Sequence, residues 1–421
     1  MPSLRTLFQL ILVQLESKLI KPIKCIERQV SINLQEADIQ TRPANSNGLW
    51  CHILLPAILL VYTCFDKVSL LYKITSLISV GLLCYCILFI LFLSASNIVL
   101  KAPVYTGCLA SSLIATVMLH IFLNQGLLFS VSVTLTSTLL FAWMLRLCIS
   151  ECHNTFTLGE AMIVSQGLVL FTAMSVMKFL FEMYSDDEEM EFISVIVFTI
   201  LSTLGLIVTA LYFLKDTQRN LKSLCYIVGS AAVFVLLILH SILGSDCLVV
   251  ILHYIFVQGN RALRKSGIEP ISSALQSAFL VYCDEKDCGM FAMTPVYLYV
   301  GLAFPLLLVP NHGDRELELL SGVLSIGIGD TAASWFGSRF GFNKWPDSNR
   351  TLEGTIFNML SQIGTVYALQ LFGVLNARHA LLRCALCACA TGLLEARTAQ
   401  VDNLVLPLAS LATLQVTRLL Y

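Results

Sequence analysis

The chain has 421 residues, of which 57% are hydrophobic and 13% charged, with a mean hydropathy of +0.80 and a formal net charge of −1. So little polar surface cannot coat a water-soluble globule of this length, and the balanced charge removes any overall pull toward nucleic acid. The 15 cysteines lie in apolar stretches without the even spacing of a disulfide framework, so they read as small buried side chains, the close set Cys384, Cys387 and Cys389 included.

Residues 1–48 form the longest stretch of ordinary polarity. Lys18, Lys21, Lys24 and Arg28 flank apolar positions there, a pattern that predicts an amphipathic surface helix and a tail on the cytosolic side. From Leu49 onward, apolar runs long enough to cross about 30 Å of hydrocarbon recur between short polar breaks. Candidate spans are 49–65, 74–93, 98–123, 127–149, 161–181, 192–214, 224–243, 246–258, 290–310, 317–335, 356–375, 379–394 and 401–420. The expected fold is therefore an all-α bundle of roughly 11–14 transmembrane helices. It divides into the tail 1–48, N-terminal membrane helices over 49–214, and a C-terminal membrane domain over 215–421.

Basic residues in short breaks are retained in the cytosol. Lys215, Arg219 and Lys222 mark one such break, and Arg261, Arg264 and Lys265 mark another two spans later; the acidic run 185–189, one span before the first of these, is then luminal. Continuing the count puts the polar loops at 284–287, 339–350 and 395–403 on one cytosolic face. Arg378, His379 and Arg383 fall on the other side, against the rule.

The densest polar, glycine-rich stretch runs from Gly327 to Thr355. On a helix, Asp330, Ala333, Gly337 and Gly341 share a face, with an acid at its head and small residues below that admit a close partner. An ionisable group at the end of a membrane span is costly and marks a functional site. Downstream, Arg350, Thr351, Glu353, Gly354 and Thr355 offer a cation, two hydroxyls, a second acid and a glycine for backbone approach. These are the parts that a phosphate and its metal need. The Gly327-x-Gly329 pattern lacks the strand context of a dinucleotide fold, and Gly337 to Lys344 lacks P-loop spacing. Further on, Glu395, Thr398 and Asp402 are spaced to stack two acids and a hydroxyl on one helical stripe, where two acids suit a metal. The scattered histidines read as satisfied locally.

These residues, in this order, resemble the dolichol kinases, within the broader polyprenol kinases and membrane cytidylyltransferase-like proteins. The matching stretches are Gly327 through Ser334 with Gly337 and Gly341, then Arg350 through Thr355, then Glu395 through Pro407; Asp284 through Gly289 also fits. The resemblance implies transfer of a phosphoryl group from CTP to dolichol in the endoplasmic reticulum membrane, giving dolichyl phosphate for glycan assembly. It implies Asp330, Glu353 and Asp402 as catalytic acids, with Asp330 and Asp402 on a divalent cation, Mg²⁺ by its preference for hard oxygen ligands. Ser334, Gly337, Gly341, Arg350, Thr351, Gly354, Thr355 and Glu395 would then line the nucleotide. The chain departs from the family pattern at Arg219 through Ser223, where an Arg-Lys-x-x-His element is usual, and at Asn349, where a second basic residue is usual. Two other readings are a CTP-dependent cytidylyltransferase acting on a lipid phosphate, suggested by Asn311 through Asp314, and a lipid transporter, which would favour matching halves that are not seen here.

Overall fold

The computed structural model describes residues 21–97, 100, 107–183, 293–310, 315–345 and 348–420. The loops at 185–189, 215–222, 261–265, 284–289 and 311–314 and the spans over 192–258 lie outside those residues. The described residues up to Leu170 and from Met293 onward form one compact unit, and Phe171–Met183 belong to a second.

Among the described residues every regular element is helical. They are α1 (Lys21–Glu36), α2 (Leu54–Phe65, entered through a 3₁₀ turn at Leu49–Ile53), α3 (Leu70–Ala95), α4 (Cys108–Leu123), α5 (Leu127–Ser150), α6 (Leu158–Met183), α7 (Thr294–Leu308) and the single turn α8 (Glu316–Leu319). A π-helical segment, Val323–Asp330, then leads into α9 (Thr331–Phe340), followed by α10 (Leu352–Leu371), α11 (Ala380–Arg397) and α12 (Asp402–Leu420). This is the all-α membrane bundle that hydropathy predicts: in lipid the backbone must satisfy its own polar groups, and a helix does so within one segment.

Four helices are long and apolar enough to cross a bilayer among the described residues: Leu70–Ala95, Leu127–Ser150, Leu158–Lys178 and Asp402–Leu420. Other apolar runs are cut shorter than the sequence suggests. The run 98–123 yields α4 only from Cys108, after Gly107 at φ 93°. The run 317–335 is divided between α8, the π segment and α9. An apolar window shows what a segment dissolves in, not where its backbone turns.

Several buried hydroxyls bond within their own helices. Thr134 Oγ1 donates to Ser130 O at 2.8 Å and meets Thr116 Oγ1 across the α4–α5 contact at 2.7 Å. Outward, Leu109, Leu113 and Phe122 on α4, Leu128 on α5, and Leu360 and Leu371 on α10 stay exposed, as side chains facing lipid would. Leu317, Leu324, Val366, Leu375, Cys384, Cys387 and Leu414 form a buried cluster that joins the π segment to α10, α11 and α12, so Cys384 and Cys387 are core side chains as expected, whereas Cys389 is exposed, against the expectation. Tyr72 Oη donates to Leu308 O at 2.7 Å, tying α3 to α7, and Gln415 Nε2 donates to Ile58 O at 3.0 Å, tying α12 to α2.

Two buried ionic nodes pin the unit. Near the chain's last helix end, Asp66 pairs with Arg315 at 2.8 Å and Arg418 at 2.6 Å, and Arg383 pairs with Glu318 at 2.5 Å. Arg383 also donates to Leu414 O. It is thus an internal partner with its charge spent inside the bundle. At the other node Arg42 meets Glu160 at 2.6 Å, with their side chains 3% and 0% exposed. Glu160 additionally accepts the N–H groups of Thr157 at 2.9 Å and Val401 at 2.8 Å.

Removing the acid of the Arg42–Glu160 pair strands the arginine charge and two backbone N–H donors. Glu160→Ala is expected to lose about 3–5 kcal/mol of stability, read by thermal or denaturant unfolding in detergent. A loss under about 1 kcal/mol would show that water relieves Arg42 there.

Candidate functional site

Arg350 is delivered by a loop that folds back between α9 and α10. The loop is closed by an isolated bridge between Lys344 and Thr351, by Trp345 N–H on Arg350 O at 2.9 Å and by Leu352 N–H on Asn343 O at 2.7 Å. Thr351 caps α10: its Oγ1 accepts Gly354 N–H at 3.2 Å. Glu353, in the first turn, clamps the loop from the other side. Its carboxylate accepts Phe342 N–H at 3.2 Å, Asn343 N–H at 3.2 Å and Asn343 Nδ2 at 2.7 Å. Its own backbone N–H first, then the Asn343 and Phe342 donors, hold its pKa below the usual glutamate value. The clamp is therefore intact at and above the ordinary glutamate pKa, and lets go only as pH falls through the lowered one.

From this loop the Arg350 guanidinium, 27% exposed, reaches three acids on separate elements. Nη1 bonds Glu395 Oε1 near the end of α11 and stands 3.9 Å from Asp330 Oδ1 at the close of the π segment. Nη2 bonds Asp402 Oδ2 at the start of α12, at 2.5 Å. Burial would lower the Arg350 pKa, but Asp402, Glu395 and Asp330 together raise it. Burial, more than Arg350 offsets, pushes the Glu395 carboxyl up to about 7, with Asp330 and Asp402 adding to the rise, so the node carries net negative charge once that acid ionises. No set of three or more Asp, Glu, His or Cys among the described residues forms a metal cage by itself. A hard cation held here takes one or two carboxylates and draws its remaining oxygens from a bound phosphate, which is the habit of Mg²⁺.

Sequence reasoning places Asp330, Arg350, Glu395 and Asp402 together, and the structure joins them. The expectation that Glu395, Thr398 and Asp402 share one helical stripe is corrected: α11 stops at Arg397, Thr398 is extended, and Asp402 begins a new helix. The backbone breaks because the 398–401 turn is bonded elsewhere: Val401 N–H to Glu160, Ala399 O to Arg42, and Gln400 to Thr157 and Ser46. The Thr351 and Thr355 hydroxyls are occupied, the first in the cap and the second accepting Trp345 Nε1 at 3.0 Å. Ser334 is exposed on α9, one turn beyond Asp330, and Gly341 ends that helix.

Gly337 and Gly354 let two helices touch. A Cβ on Gly354 would lie 2.9 Å from Ala333 O and 3.3 Å from Gly337 Cα. The small-residue face on α9 thus has α10 as its partner. Two residues were missed. Asn358 Nδ2 bonds Glu395 Oε2, and Gln362 Nε2 donates to Asn358 Oδ1 at 2.5 Å, both fully inside. The available signal was the polar pair at i, i+4 within the apolar run 356–375, in line with Thr355 one turn earlier.

Over 176 residues the chain is 37% identical to the dolichol kinase of Mus musculus, covering 39% of this chain and 32% of that protein. It is 37% identical to the dolichol kinase of Homo sapiens over the same length, with 39% and 31% covered. With the dolichol kinase of Saccharomyces cerevisiae it shares 30% identity over 152 residues, 34% of this chain and 27% of that one. The match spans about a third of the length of these curated relatives. No family model and no solved structure matches the chain. The resemblance read from the motifs is thus to dolichol kinases of animals and yeast alike.

The α9–α10 contact predicts that Gly354→Val, which must push against Ala333 O, separates the helices and shifts the Arg350 loop. The expected cost is about 1–3 kcal/mol of stability, measured by unfolding of the purified protein. A variant as stable as the parent would mean that the contact relaxes freely.

Proposed function

We propose that this chain carries out CTP-dependent phosphorylation of dolichol, yielding dolichyl phosphate for glycan assembly, from a site on the cytosolic face of the endoplasmic reticulum membrane. The observation that supports it most directly is the convergence of Asp330, Arg350, Glu395 and Asp402, from four separate elements, at the ends of apolar helices. A charged nucleotide and a membrane-buried alcohol can meet only at such a border.

In this reading the reaction moves the terminal phosphoryl group of CTP to the dolichol oxygen: the bond to the β-phosphate breaks, the new P–O bond forms and the hydroxyl proton leaves. Arg350 offsets charge on the phosphoryl oxygens, since a guanidinium matches phosphate geometry with paired donors. Mg²⁺, if held by Asp330 and Asp402, would supply further positive charge on the phosphates. Asp330 is the most open of the three acids, at 29% side-chain exposure against 12% for Asp402 and 4% for Glu395. That suits it to face the lipid hydroxyl. Glu395, bonded to both Arg350 and Asn358, holds the guanidinium in place. Glu353 acts through the loop, by fixing the turn that carries Arg350.

The test is a membrane assay with dolichol as acceptor and CTP and ATP compared side by side, the label carried first on the γ and then on the α phosphate. Label passing to dolichol from γ-labelled CTP, and not from ATP, is expected. Label passing from the α position to a lipid phosphate instead would establish cytidylyl transfer. Asp330→Ala and Glu353→Ala should each lose at least about a hundredfold in rate while the protein still inserts; normal turnover in both would overturn these roles.

A further inference from the structure

A cleft of roughly 640 Å³ opens beside the Arg350 node. Its walls come from three parts of the chain: Asn45 and Trp50 near the N-terminus, Lys344, Trp345 and Asn349 in the loop ahead of Arg350, and Arg397 beyond Glu395. Two indoles, three amides, Gln400 among them, and two cations line it. The Arg397 guanidinium stands 5.8 Å from the Trp345 ring centroid, and Trp50 keeps 37% of its surface open. The cleft is within the 300–1,000 Å³ usual for small-ligand sites, about the room that a flat ring with a sugar needs. Aromatic faces stack on any nucleobase, amides read a base edge, and cations accompany a phosphate tail.

The N-terminal wall is held in register with the acids. Gly48 sits at φ 64°, and a Cβ there would fall 2.3 Å from the Gln400 side chain. Gln400 Nε2 in turn donates to Ser46 O at 2.9 Å, and Gln400 Oε1 accepts Thr157 Oγ1 at 2.5 Å. Arg42, a few residues earlier, bonds both Glu160 and Ala399 O. The segment that carries Asn45 and Trp50 is therefore tied to the same 398–401 turn that presents Asp402.

We propose that the segment 45–50 supplies one wall of the nucleotide site, with the base and ribose of the triphosphate in this cleft and Trp50 stacked on the base. This rests on the nucleotide-dependent reading above and adds a part of the chain, near its N-terminus, that the motifs do not reach. In this arrangement the phosphates would extend from the cleft past Asn349 toward Arg350.

Binding of labelled CTP to the full chain in nanodiscs, with inorganic tripolyphosphate as a second probe, tests it. Trp50→Ala should weaken CTP binding about tenfold, the size of one lost base–aromatic stack, and Trp50→Phe should restore most of it. Tripolyphosphate, which has no base, should bind the parent and both variants alike. Unchanged CTP affinity in Trp50→Ala, or equal weakening of CTP and tripolyphosphate, would overturn the inference while leaving the phosphate node standing. A parent chain that binds neither probe would instead overturn the nucleotide reading and this inference with it.

Discussion

A single guanidinium organises this end of the bundle. Arg350 reaches Asp330, Glu395 and Asp402, which belong to three different helical elements, and without it those carboxylates would repel one another across a partly buried space. The constraint runs both ways. The acids fix where the arginine can sit, and the arginine fixes the distance between the close of the π segment, the end of α11 and the start of α12.

The rest of the unit reads as support for that geometry. Glu353 and Thr351 shape the loop that presents Arg350, and the Gly337–Gly354 contact lets α9 and α10 approach closely enough for Asp330 to come within reach. Asn358 and Gln362 extend the polar network from Glu395 into α10. Across the site, Arg42 and Glu160 hold the 398–401 turn, so a residue near the N-terminus governs where Asp402 begins its helix. The apolar exterior of α4, α5 and α10 suits a lipid surround.

Much of this was legible in the sequence because charge in an apolar chain is scarce. Asp330, Arg350, Glu395 and Asp402 stand out from their surroundings, and the cost of placing them near lipid argues for a shared purpose. The all-α class followed from hydropathy for the same reason. What the sequence hid was geometry over distance. Nothing local announces that Glu395 and Asp402 lie on two helices, because the break at 398–401 is imposed by Glu160, more than two hundred residues earlier in the chain. The Thr351 and Thr355 hydroxyls look available to a ligand in the motif and are consumed by a cap and a tryptophan in the fold. Span lengths were overread where a glycine or a π turn interrupts an apolar run, since hydropathy carries no information on backbone direction.

The account turns on Arg350 and Asp402 acting as one unit on the nucleotide, and a double-mutant cycle measures that most directly. Arg350→Lys, Asp402→Asn and the double variant would be compared by kcat/KM for CTP with dolichol as acceptor. Coupling is predicted, with the double variant little worse than the poorer single one and an interaction energy above about 1 kcal/mol. Fully additive losses would show that the two residues serve the reaction separately, and would contradict the single site described for them.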